Sequence, residues 1–116
     1  MIERGDIFYA DLRPVPGAGE GGLRPFLIVE SGVGEKNSPT VIAVEITSEI
    51  PQTLLSTQVK IRASESGLSN DFVILVEQIR TINKLRLKEK TGHLDKQIMQ
   101  NVDTAISEAF GLCSEE

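Results

Sequence analysis

The sequence holds a single cysteine, a single histidine and no tryptophan, and aromatic residues make up only 4% of it. One cysteine, Cys113, excludes an internal disulfide and fits a reducing compartment. One histidine, His93, excludes a pair of imidazoles sharing acid and base work within the chain. A lone Cys and a lone His also leave no ligand set for a structural zinc. No apolar run approaches the roughly 20 residues that a membrane-spanning helix needs. The opening Met1-Ile2-Glu3-Arg4-Gly5-Asp6 lacks the basic and then apolar segments of a signal peptide, so a cytoplasmic location without membrane attachment is expected. A phosphate loop of the Gly-Lys-Ser/Thr kind is missing despite 10 glycines. Carboxylates are plentiful but do not recur at a metal-ligand spacing, so neither metal nor cofactor is expected.

What is present suits one ordinary globular domain, residues 1–116: 40% apolar and 25% charged residues, with length for a single core. The net charge of −5 runs against binding a polyanion, whose phosphates need Lys and Arg. The charge is uneven, however. Arg80, Lys84, Arg86, Lys88 and Lys90 fall close together, offset only by Glu89, and read either as a local basic patch or as a solvated face.

Most of the chain reads as short strands. Ile7-Phe8-Tyr9-Ala10 follows a turn signal, and Pro25-Phe26-Leu27-Ile28-Val29 is an apolar run typical of a strand buried on both faces. Between them Pro14 to Gly22 must be a loop. The β-branched run Thr40 to Thr47 predicts a third strand, Thr57 to Arg62 alternates as a half-exposed strand, and Phe72 to Val76 is a buried run continuing to Thr81. The period then changes. Leu94, Ile98, Val102, Ala105, Ile106 and Ala109 define one helix face, with Asp95 as N-cap, Leu94 stapling onto Met99, and Gly111 as the left-handed stop with Leu112 folding back towards Ile106. Strands at short spacing followed by a terminal helix predict a mostly-β fold, a small twisted barrel with the helix packed on it. So apolar a sheet in so short a chain also suits burial against a second copy.

Two polar residues stand at strand ends, where a side chain is held yet accessible. Gly21-Gly22-Leu23-Arg24-Pro25 places a guanidinium where a glycine loop enters a buried strand, with the residue before proline held extended. Thr47 ends the third strand. By pattern alone the arginine could equally pair with a loop carboxylate, and the threonine could be there for β-propensity.

The segments Arg4-Gly5-Asp6, Gly21-Gly22-Leu23-Arg24-Pro25, Asn37-Ser38-Pro39-Thr40 and Val73-Ile74-Leu75-Val76-Glu77-Gln78-Ile79-Arg80-Thr81-Ile82 together resemble the MazF/PemK toxins in order and spacing. The resemblance implies an SH3-like barrel, a homodimer, and a sequence-specific endoribonuclease that cuts single-stranded mRNA without a metal. It also implies a cognate antitoxin whose C-terminal segment lies in the RNA groove. The family's catalytic arginine maps to Arg24 and its threonine to Thr47. RNA-binding positions map to Ala18, Glu20, Glu30, Ser31, Gln58 and Gln78. Several of these depart from the family pattern. Ala18-Gly19-Glu20 replaces Ser-Glu-Gln, Glu30-Ser31-Gly32 replaces Gln-Asn-Asp, and Gln58 stands for a frequent histidine. The loop Ser48 to Leu54, commonly basic in the family, has no Lys or Arg. These changes bear on RNA grip and base reading. They leave two alternatives to an active nuclease: a catalytically weak relative that dimerises and binds antitoxin, and a toxin of the same fold acting on a protein such as DNA gyrase.

Overall fold

The computed structural model describes residues 2–13, 22–32 and 38–112. Six strands, β1 (Asp6–Asp11), β2 (Leu23–Ile28), β3 (Thr40–Thr47), β4 (Gln58–Ile61), β5 (Phe72–Asn83) and β6 (Leu87–His93), form one sheet in the order β4-β5-β3-β2-β1-β6. A short helix, α1 (Ala63–Ser66), links β4 to β5, and a long one, α2 (Lys96–Phe110), follows β6. Every pairing is antiparallel. The expected mostly-β fold with a terminal helix is what the chain adopts. Its sheet is barrel-like without closing, since β4 and β6 remain its two edges among the described residues.

The sheet is buried on both faces, as its apolar runs required. On one face Leu27, Val44, Ile46, Ile74 and Val76 meet Met99, Val102 and Ala105 of α2 in the larger core. On the other face Ala10, Phe26, Ile28, Val41, Ala43 and Ile82 form a second core. The alternation along β2 and β3 thus feeds two cores from one pair of strands. The β3–β5 register breaks between Val44 and Glu45, which pair with Ile79 and Leu75 respectively. Val76, Glu77 and Gln78 therefore bulge, and the bulge is tied to β4: Val76 N–H donates to the Thr57 carbonyl (3.0 Å), while Thr57 Oγ1 (3.0 Å) and Gln58 Nε2 (2.9 Å) donate to the Glu77 carboxylate. A bulge adds local twist, which turns the end of β3 away from the flat run of the sheet.

The last strand is where sequence patterning misleads. Leu87-Lys88-Glu89-Lys90-Thr91-Gly92-His93 has little apolar content, yet it pairs with β1 along its length. It is an edge strand, and edges carry charge without cost to the core. Part of the basic run is thereby tied to the sheet edge. Arg86 Nη1 donates to the Asp11 carbonyl (2.9 Å) and to the Arg13 carbonyl, and Lys90 pairs with Asp6 at 3.2 Å. Two of the cations are structural members rather than a surface for polyanions.

The α2 helix follows its signals closely. Asp95 Oδ1 accepts from the Ile98 amide (2.9 Å), Leu94 and Met99 share the larger core, and Gly111 takes φ +71°. Leu112 N–H returns to the Ser107 carbonyl (2.8 Å), but its side chain stays 69% exposed and does not pack back towards Ile106. Among the described residues no helix is long and apolar enough to cross a membrane.

Candidate functional site

Pro25 shapes the site from the backbone outward. Pro25 pairs with Tyr9 of β1, but the β2–β3 ladder begins only at Phe26↔Glu45. A proline has no N–H to give to a further rung. Two residues beyond that last rung, on each strand, stand Arg24 and Thr47. The strands part there, and an open cleft of ≈ 700 Å³ lies between the start of β2, the end of β3 and the segment Leu68 to Phe72. Arg24, Glu45, Thr47, Glu49 and Asp71 line it, with Tyr9 from β1.

Gly22 has a local role in presenting the arginine. Arg13 is clamped on Asp11 through Nε (2.9 Å) and Nη2 (2.8 Å), and a Cβ at residue 22 would lie 2.3 Å from Arg13 Cγ. Only glycine lets the chain pass that clamped side chain into β2. The Asp11 carboxylate in turn raises the Arg13 pKa above its ordinary value.

Arg24 is 53% exposed and its Nη2 contacts Oε2 of Glu45, which is only 14% exposed. A guanidinium carries five donors in a planar fork, so one edge on Glu45 leaves another facing the cleft. Thr47 Oγ1 accepts the Glu49 amide (3.1 Å). An oxygen already accepting from the backbone has its own O–H proton to donate outward. The site therefore gathers a cation, a hydroxyl donor and a shielded carboxylate at one strand end. Such donors suit a phosphate whose charge grows during reaction.

Over residues 3–110 the sequence matches the family described as PemK-like, MazF-like toxin of type II toxin-antitoxin system. The chain belongs to this family. It is 45% identical over 112 residues to Endoribonuclease EndoA of Bacillus subtilis (strain 168), covering 97% of each chain. It is 46% identical over 112 residues to Endoribonuclease MazF of Staphylococcus saprophyticus, covering 97% of this chain and 93% of that one. Among solved structures it is similar to a mycobacterial endoribonuclease in complex with its cognate antitoxin, with 25% identity, a TM-score of 0.77 and coverage of 99% and 100%.

In this MazF-type toxin the two strand-end residues, Arg24 and Thr47, come together at one cleft. The RNA-binding positions implied by resemblance are more dispersed. Ala18 and Glu20 lie outside the described residues. Glu30 and Ser31 follow the far end of β2, about 20 Å along the strand from Arg24, and Glu30 Oε1 accepts the Ile42 amide (2.9 Å). Gln58 is engaged at both ends of its amide, accepting from Leu55 N–H (3.0 Å) and donating to Glu77 (2.9 Å). Gln78 is exposed on the β5 bulge. None of these four lines the cleft.

Glu45 is the residue that sequence reading passed over. Its signal was there: a lone charge inside the apolar strand Thr40–Thr47, two residues before the threonine and so on the same face. Arg80 was read only as part of a basic run, whereas its guanidinium lies 6.0 Å from the centre of the Phe26 ring. Phe26 pairs with Glu45 across β2 and β3, so the ring carrying this cation is the cross-strand neighbour of a cleft residue.

A second charged cluster sits at the other end of β1. Asp6 is fully buried and its carboxylate meets His93 Nδ1 (2.7 Å), the Glu3 amide (2.8 Å) and Lys90 Nζ (3.2 Å). Burial pushes its carboxyl pKa up, but the bonds from His93, the Glu3 amide and Lys90 together bring it below the usual value. Glu3, Asp6 and His93 bring ligand atoms within 4.8 Å of one another, a grouping their sequence spacing conceals. The Lys90 ammonium lies against the same Asp6 carboxylate at 3.2 Å.

Proposed function

We propose that this toxin is an endoribonuclease that cleaves single-stranded mRNA at specific sequences by turning the RNA's own 2′-hydroxyl on the adjacent phosphate. The observation that carries the reading is Arg24, outward edge exposed, beside Thr47 at the mouth of the cleft. Arg24 holds the scissile phosphate, stabilises the charge of the phosphorane-like transition state and protonates the leaving 5′-oxygen. Thr47 donates to a nonbridging oxygen. The products are a 2′,3′-cyclic phosphate and a 5′-hydroxyl. No step calls for a metal, because alignment and charge stabilisation supply the acceleration.

Gln78 and Ser31, both exposed, offer polar groups for reading bases, alongside Ala18, Glu20, Glu30 and Gln58 at the other positions that the resemblance assigns. In line with the mycobacterial neighbour that is in complex with its cognate antitoxin, this toxin is held by a cognate antitoxin. On the family resemblance, the antitoxin's C-terminal segment lies in the same groove and the toxin works as a homodimer. Sedimentation at micromolar concentration checks the dimer: a species of 12.7 kDa would overturn it.

One observation favours a second reading. The cleft lining holds three carboxylates, Glu45, Glu49 and Asp71, against one guanidinium, an unfavourable balance for a polyanion. A relative that mainly dimerises and binds antitoxin would have such a lining. Incubating the purified protein with a long RNA in EDTA separates the two. Cleavage leaving cyclic-phosphate ends supports the nuclease, and intact RNA across a range of salt supports the binding protein.

A further inference from the structure

We propose that Glu45 is the general base of the cleavage reaction, taking the 2′-hydroxyl proton while its ion-pair partner Arg24 holds the phosphate. The proposal rests on the nuclease reading above and assigns the one role that reading leaves open.

Three features single out Glu45. It is in contact with the phosphate-binding guanidinium, so a group bound by Arg24 comes within its reach. It is shielded, at 14% exposure, which keeps bulk water from competing for the transferred proton. It also stands two residues before Thr47 on the same face of β3, so base, cation and hydroxyl donor surround one point. The other carboxylates of the cleft are placed differently. Asp71 Oδ1 is engaged by the Ala63 amide (2.8 Å), and Glu49 is exposed beyond the strand end.

The step balances within the pair. Glu45 accepts the 2′-hydroxyl proton, and the freed oxygen pair forms the bond to phosphorus. The bond from phosphorus to the 5′-oxygen breaks, its electrons leave on that oxygen, and Arg24 supplies the proton. Glu45, now a carboxylic acid, returns its proton to Arg24 across their contact. The ion pair is restored after each turnover, without an external acid or base.

Glu45→Gln keeps the shape and a hydrogen bond to Arg24 but removes the base. Cleavage of a long RNA in EDTA at neutral pH should fall on the order of 10²- to 10⁴-fold. Binding of the same RNA carrying 2′-O-methyl groups should stay within a few-fold of wild type. The kcat/KM of wild type should rise with pH as the base ionises and level off, and Glu45→Gln should lose that rising limb. Glu45→Asp, one methylene shorter, should be slower than wild type but keep the limb. The titratable groups lining the cleft with Glu45 that could otherwise set a limb are Tyr9 from β1, Arg24 from β2, Glu49 beyond β3 and Asp71 before β5, with Arg80 of β5 over the neighbouring Phe26 ring. A wild-type protein that cuts no RNA overturns the nuclease reading and this proposal with it. A wild type that cuts beside a Glu45→Gln variant cutting within threefold of it, cutting faster, or keeping the same limb overturns the assignment of Glu45 alone.

Discussion

Two carboxylates in this toxin sit among cations, and their surroundings differ in a way that separates architecture from chemistry. Asp6 is fully buried and meets three donors, from His93, Lys90 and the Glu3 amide. Two of those donors belong to β6 and the third to the turn before β1, so the carboxylate ties that turn to the edge strand. Glu45 meets Arg24, its only cationic partner in an ion pair among the described residues, and does so at the lip of an open cleft. A saturated, closed carboxylate has no capacity left for substrate. A shielded but singly partnered one does, and the difference follows from where each ladder stops: β6 runs the length of β1, while β2 and β3 part at Pro25.

The sharpest way to test the contrast is to remove Arg24. Arg24→Ala should lower the cleavage rate by at least 10²- to 10³-fold, the scale on which one transition-state donor is lost. Its thermal midpoint should stay near wild type, because an exposed ion pair adds little to stability. Initial rates on a defined RNA beside a melting curve check both halves. A cutting-competent Arg24→Ala would end the assignment.

At the other cluster the effects should reverse. Asp6→Asn should cost about 2 kcal/mol of stability in urea denaturation and leave the rate per folded molecule unchanged. The pH dependence sharpens this. The folded carboxyl of Asp6 lies below its unfolded value, so its contribution is complete above the ordinary carboxylate range and is lost as pH falls through the folded pKa. Wild type should therefore lose stability on acidification below about pH 4 more steeply than Asp6→Asn. Parallel acid curves for the two proteins would show that Asp6 does not carry the linkage.

Thr47→Val should have the smallest effect of the three. On the proposed role it removes one hydroxyl hydrogen bond to the phosphate, about 1.4 kcal/mol, and so should slow cleavage about tenfold. A loss as deep as that of Arg24→Ala would show that the hydroxyl does more than donate once.

Much of this layout was legible in the residues. β3 spans Thr40–Thr47 as its β-branched run predicts, and α2 begins after Asp95 and ends at Gly111 as its caps predict. These elements carry their own instructions, in period and in end residues. β6 was hidden because an edge strand needs no apolar stripe, and its lysines look like surface until Asp6 is placed beside Lys90. The pairing of Arg24 with Glu45 was hidden for another reason. They lie 21 positions apart in sequence, and only the β2–β3 register brings them together. Local pattern announces strands and caps, whereas a site made across strands depends on register, which sequence spacing does not state.

The pairing of β1 with β6 has a consequence for the birth of the protein. His93 follows its partner Asp6 by 87 residues, so β1, which finds β2 early, gains its second neighbour late. At ribosomal speeds of roughly 5–20 residues per second, that side of β1 waits for several seconds. The Leu68 to Phe72 wall of the cleft and the α2 helix that covers the larger core also emerge late. Arg24 and Thr47 leave the ribosome before β6 and α2, and the scaffold that makes them a site cannot assemble until those later elements have been made. The nuclease therefore gains its cleft well after it has gained the arginine that the cleft presents.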